Sequence, residues 1–344
     1  MNLRYEELTF PEVEQLDRSW PVILPLGRGP LPDDLPGPDR ILFPALPFGF
    51  APPLKADSFE RVLDSLRAVL AEDGFHNQHL VECPGPVELP LTEVALLCTG
   101  HTEQHGFHLP LSTDTVIAGA LGEALGRRPD VTCLPVWPYG VSTHRRQYPG
   151  TLTIEPRAWE DFWVDIVGCL RGLGFDCVYL LNGHGGNHSF LVNVTKFAGD
   201  RWPEMFVTTS FLHTSSGAAA ELLERTRDSK LMGHACELET SYLLHLRPEL
   251  VHMERAVDEV DFVATPRYQV DWISDGVLVA NPPWSDDTRT GSYGAPSVST
   301  AAKGKLWMEA ALVELGLHLD EVKEQQRLRR HRRATGWVEG AWRQ

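Results

Sequence analysis

Apolar and polar positions along the middle of the chain fall into blocks, and the period changes from block to block. Short unbroken apolar runs that end in glycine or a polar loop predict buried parallel strands: "EVALLCTG" (93–100), "VTCLPVWPYGV" (131–141), "DCVYLLNGHGGN" (176–187) and "MFVTTSFLH" (205–213). Between them the period lengthens. "TVIAGALGEALGRR" (115–128) and "SFLVNVTKFAGDRW" (189–202) read as helices. In "EPRAWEDFWVDIVGCLRGLGF" (155–175), Trp159, Phe162, Trp163, Ile166, Val167 and Leu170 recur at helical spacing before Gly172 and Gly174. Strands that alternate with helices predict an α/β fold of three α/β/α layers around a mostly parallel sheet. Sites in such sheets gather beyond the carboxyl ends of the strands.

The first 85 residues repeat this order. "WPVILPLGRGPLPDDLP", "RILFPALPFGFAPP" and "SFERVLDSLRAVLAEDGFHNQHLVECPGP" parallel the segments that begin at 94, 131 and 158. Arg28, Gly29 and Pro30 fall near where Thr102, Glu103 and Gln104 stand in the second copy. One reading is an N-terminal degenerate half-repeat without metal ligands; the other is an unrelated proline-rich extension. "VECPGPVELP" (81–90) reads as a linker to a main domain over 90–320, and 321–344 as a basic tail ending in two tryptophans. A helix is expected from about Lys303.

The 344 residues are 42% hydrophobic, enough for a full core. With 31 Lys+Arg against 47 Asp+Glu the net charge is −16, which argues against a nucleic-acid binder. No apolar run is long enough to span a membrane, and the acidic start does not read as a signal peptide. The six cysteines lie far apart with no CxxC pair, as expected of free thiols in a reducing cytoplasm.

"TEQHGFHLPLSTD" (102–114) packs Glu103, His105, His108 and Asp114 behind the first strand of the main domain. In extended backbone Glu103 and His105 point the same way. Asp114 can return to the same place, and its two oxygens can bridge two cations about 3.5–4 Å apart. His184 lies in the glycine-rich turn after the third strand, and "GHACELETS" brings His234, Glu237 and Glu239 to the start of a helix. Imidazole with carboxylate suits Zn, Mn or Fe rather than a cysteine-type structural zinc. A plain polar surface loop is the alternative reading.

"TEQHGFHLPLSTDT", "YPGTLTI", "LLNGHGGNHSF", "GHACELETSYLLHLRPELV" and "GSYGAPSVSTAAKGK" occur in that order. Together they resemble the creatininase (creatinine amidohydrolase) family over roughly 90–320. The resemblance implies a creatininase-like α/β homo-oligomer with two divalent metal ions, acting on a small-molecule substrate. Glu103, Asp114 and His184 would hold one ion and His105 and Asp114 the other. His234 would pass a proton to the leaving nitrogen while hydroxide attacks the carbonyl, with Glu237 a further catalytic carboxylate. The implied reaction is hydrolysis of a C–N bond in a cyclic amide, formamide or peptide-like substrate. Hydrolysis of a lactone or an activated C–C bond, or a non-catalytic scaffold, are the alternatives. Creatininase itself carries a metal-binding Glu where this chain has Gly186, which makes creatinine an unsuitable substrate. It sets the chain nearer the "NGHGGN" branch of formamide deformylases and the mycofactocin peptidase. Glu239 is the candidate replacement ligand, with Glu237 the next, or else Glu239 is a carboxylate that orients a ligand histidine. His144, Arg145, Tyr148 and Asn187 are candidate substrate contacts. Arg145 and Arg146 would pair with an anionic group of the substrate, or else belong to a surface loop or subunit contact.

Overall fold

The computed structural model describes residues 1–83, 85, 89–212, 217–273 and 276–336. Part of the expected linker, His213 and both terminal tryptophans lie outside the described residues. The chain opens with β1 (Asn2–Arg4), α1 (Phe10–Glu14), β2 (Val22–Leu26), β3 (Arg40–Leu42), α2 (Phe59–Glu72) and β4 (Gln78–Glu82). These strands form a parallel sheet in the order β1-β3-β2-β4. Then follow β5 (Val94–Thr99), α3 (Thr113–Leu125), β6 (Val131–Cys133), α4 (Pro156–Gly172), β7 (Cys177–Asn182), α5 (His188–Arg201) and β8 (Phe206–Phe211). The second sheet is also parallel, in the order β6-β5-β7-β8. Helices α6 (Gly217–Thr226), α7 (Glu237–Leu246) and α8 (Ala301–Thr335) complete it.

The second sheet is the middle of three layers. Ala95 and Leu97 of β5 and Val178 and Leu180 of β7 join the core under α4 and α5. Val94, Leu96, Cys98, Tyr179 and Leu181 join the opposite core under α3, α7 and α8. Strands apolar on both faces have no polar side to show, so they read as unbroken apolar runs.

The two sheets share more than strand order. Gly27 N–H donates to Leu46 O at 2.9 Å, and Gly100 N–H to Trp137 O at 2.9 Å. Cys83 N–H donates to Leu26 O at 2.7 Å, and Gly183 N–H to Thr99 O at 2.7 Å. Phe75 N–H closes α2 on Leu70 O as Phe175 N–H closes α4 on Leu170 O. This ladder sets Arg28, Gly29 and Pro30 against His101, Thr102 and Glu103, one position earlier than the sequence suggests. The halves meet at α4, where Phe48 and Phe59 pack on Phe162 with centroids 6.3 Å away. Gly49 closes that contact. It has φ +103°, and a Cβ there would lie 2.6 Å from the Phe162 ring.

Two expectations change. The strand expected over 131–141 stops at Cys133, because Pro135 and Pro138 have no N–H to donate. Trp137 keeps only an isolated bridge to Thr99. The basic segment is not a separate tail up to Thr335, because α8 runs through it. Thr300 caps that helix by accepting from Lys303 N–H at 3.2 Å. Its basic end is tied down: Arg330 pairs with Asp176, and Gln326 donates to the carbonyls of Asp176 and Glu204. No described helix is long and apolar enough to cross a membrane.

Candidate metal centre

The exits of β5 and β7, the first turn of α3 and the first turn of α7 converge on one buried cluster. Three groups of side chains there could hold a cation: His101–Glu103–His184, Glu103–His105–His234 and His105–Asp114–Glu239. Each group's ligand atoms lie within 4.8 Å of one another, and every member is buried.

Asp114 is the hinge of the arrangement. Its Oδ1 lies 3.1 Å from His105 Nε2 and its Oδ2 2.9 Å from His184 Nδ1. The first turn of α3 places it where the helix dipole favours negative charge. His105 Nδ1–H donates to Glu103 O at 3.1 Å, and His184 Nε2–H to Val141 O at 3.0 Å. Each imidazole has thus committed its one neutral-state hydrogen to the backbone, and the nitrogen facing Asp114 is a bare lone pair. A lone pair against a carboxylate oxygen at these distances needs a positive charge between them. A divalent cation supplies it, and in its absence protons do. Burial alone would lower His105 and His184. Asp114 and Glu239 outweigh burial and raise His105 well above its usual range. Glu103 and Asp114 push His184 up to about 9.

Glu103 faces the same centre. Its Oε1 lies 3.2 Å from His184 Nδ1 and accepts from Arg145 Nη1 at 2.5 Å, while Oε2 accepts from Ser142 Oγ at 2.5 Å. Burial would raise this carboxyl; Arg145 foremost, then His184 and His234, hold it well below the usual range. Glu239 reaches in from α7. Its Oε2 accepts from Ala235 N–H at 2.5 Å, which leaves Oε1 3.6 Å from His105 Nε2. Ala235 sits at φ +46°, a left-handed turn that brings its N–H to that oxygen. His234 donates Nε2–H to Gln104 O at 2.7 Å and turns Nδ1 toward Glu103, 3.7 Å away. Burial, then the charges of Arg145 and His105, keep it neutral.

Arg145 is buried, with its guanidinium 4.4 Å from the centroid of Trp284. That indole also meets His144 and His234 edge-on and forms a wall with Tyr293. Arg146 points away, to Asp73 and Glu72 of the N-terminal half.

Three expected site residues lie elsewhere in role. Glu237 accepts from the N–H groups of Asp228 and Ser229 and pairs with Lys303, so it anchors α8 and is not available as a catalytic carboxylate. Tyr148 spends its hydroxyl on Thr288 O at 2.5 Å. Asn187 accepts from Val141 N–H and donates to Gly100 O, bracing the strand exits rather than facing a substrate. His108 is a buried brace to Thr240 Oγ1, at 2.9 Å. Sequence reasoning missed His101, although the two-residue spacing that paired Glu103 with His105 extends to it. It also missed Trp284, which arrives from an irregular segment with no pattern to mark it.

The creatininase family model, described as creatinine amidohydrolase, matches residues 88–316. A 3-dehydro-scyllo-inosose hydrolase of Thermotoga maritima is 30% identical over 169 residues, 48% of this chain and 54% of that protein. The chain thus spans about half of that relative's length. The mycofactocin precursor peptide peptidase of Mycobacterium ulcerans is 29% identical over 241 residues, 63% of this chain and 81% of the relative. Among solved structures, a putative creatinine amidohydrolase of Bacteroides fragilis matches with TM-score 0.57 and 24% identity, over 68% of this chain and 91% of its own. That likeness is one of fold. The matched residues 88–316 contain the buried cluster, and the chain belongs to the creatininase family.

Proposed function

We propose that the protein is a hydrolase with two divalent metal ions that cleaves the C–N bond of an amide, formamide or peptide-like substrate. The observation that carries this is Asp114, whose two oxygens address the bare nitrogens of two different histidines. Glu103, His184 and Asp114 would hold one ion, and His105, Asp114 and Glu239 the other. When bound there, such ions would supply a water acidified to a pKa of about 7 and polarisation of the acyl oxygen. The chain's own groups do the rest. His234, neutral and with Nδ1 turned into the site, takes up a proton and returns it to the leaving nitrogen. Arg145, stacked on Trp284, offers a guanidinium to a negative group of the substrate. Trp284 shields the centre from bulk water. We infer also that residues 1–85 are the degenerate half-copy, kept as a scaffold under α4.

The test is chelation and reloading. Protein stripped with a chelator should lose hydrolysis of a panel of N-formyl compounds and short peptides, and regain it with zinc or manganese. Hydrolysis untouched by chelation would overturn the metal mechanism. Activity confined to esters or lactones would move the reading to another bond.

A further inference from the structure

Four imidazoles stand at this centre, and one is wired in the opposite sense. His105, His184 and His234 each donate a hydrogen to a backbone carbonyl. His101 instead accepts, through Nδ1, from Gly140 N–H at 2.8 Å. A neutral imidazole that accepts at Nδ1 carries its hydrogen on Nε2. That Nε2 is fully buried and has no hydrogen-bond partner among the described residues. Buried donors without acceptors are rare in folded proteins. This one belongs to a ring packed 4.5 Å from the His184 ring, in the group that includes Glu103. Thr115 Oγ1 holds the His101 carbonyl at 3.1 Å, so the residue is seated firmly.

The wiring decides between two roles. A metal ligand needs a bare nitrogen, as His105 and His184 present. His101 presents N–H, which seeks an acceptor oxygen brought in from outside the chain. We propose that His101 Nε2–H donates to the acyl oxygen of the bound substrate and, after hydrolysis, to an oxygen of the carboxylate product. It keeps its proton throughout and makes no covalent bond. The inference rests on the proposed function, which brings an acyl oxygen to this centre.

The experiment uses the full chain loaded with zinc. Zinc per chain and the affinity for acetate, measured by calorimetry, are compared for wild type, His101→Gln and His101→Phe. Zinc content should be the same in all three. Acetate should bind His101→Phe about tenfold more weakly than wild type, and His101→Gln, which keeps a donor, within about threefold. In wild type alone, nitrogen-15 NMR should show His101 protonated on Nε2, with that proton shifted by acetate. Zinc lost from His101→Gln would make the residue a ligand and overturn the proposal. So would an Nδ1-protonated His101, or acetate affinity indifferent to both substitutions. If wild type takes up no zinc, the proposed function fails and this inference with it. Zinc uptake with acetate blind to His101 sinks the inference alone.

Discussion

Asp114 and Glu239 divide the cation site between them, and substitution separates their roles. Asp114 touches both histidines, so Asp114→Asn removes the charge that the two proposed ions would share. Glu239 Oε1 lies 3.6 Å from His105 Nε2. Metal analysis of purified protein should give near two ions per chain in wild type, about one in Glu239→Gln and close to none in Asp114→Asn. Equal content in wild type and Glu239→Gln would leave Glu239 as a carboxylate that orients His105. Asp114 was legible because it follows a strand exit at which an α/β sheet collects polar groups, and Glu239 because the resemblance left the second ion short of a ligand at Gly186. Glu237 was misjudged for a reason of helical phase. In the first turn of α7, residues two apart point to opposite sides of the helix. Glu239 therefore enters the centre while Glu237 turns to Lys303.

At the scale of elements, the irregular segment between α7 and α8 supplies the wall of the site, and Glu259 holds it. Its carboxylate accepts from Arg289 N–H at 2.8 Å and from Thr290 N–H at 3.0 Å, and the hydroxyls of Thr288 and Thr290 add to them. Burial would raise this carboxyl, but those bonds, Thr288 first, hold it below its ordinary 4.5. A folded-state value below the unfolded one stabilises the segment fully above about 4.5. The contribution is lost as pH falls through the depressed value. Hydrogen exchange of residues 288–292, corrected for the intrinsic slowing of amide exchange in acid, should therefore quicken on acidification below about 4.5. In Glu259→Gln it should be fast already at neutral pH. A profile flat with pH in wild type would disprove this role. No helical or strand period marked the segment; only its GSYGAPSVST end stood out, through the resemblance. Strands β5 and β7, by contrast, were readable because both faces are buried. The short β6 was overextended because its prolines sit within an otherwise apolar run.

For the whole molecule, α4 is the shared wall. Phe162 meets Phe48 and Phe59 of the N-terminal half and Trp137, beyond β6, of the second half. Phe162→Ala should cost about 3–5 kcal/mol. Urea unfolding followed by tryptophan fluorescence and by circular dichroism should move together to lower midpoint, as one cooperative unit. Two separated transitions in the variant would mean that the halves stand independently. The repeated order of the halves was visible in sequence, whereas their mutual packing was not, because aromatic contacts between distant segments leave no local period.

The orientation of the three imidazoles that face Glu103 and Asp114 has an evolutionary consequence. Their anchors are the carbonyls of Glu103, Val141 and Gln104, and every residue type supplies a carbonyl. No substitution at Val141 or Gln104 can delete the group that aims the ring. The aiming of the centre is thus insulated from drift in the residues around it. A lineage can rewrite the walls around this centre and still hand down the same set of lone pairs.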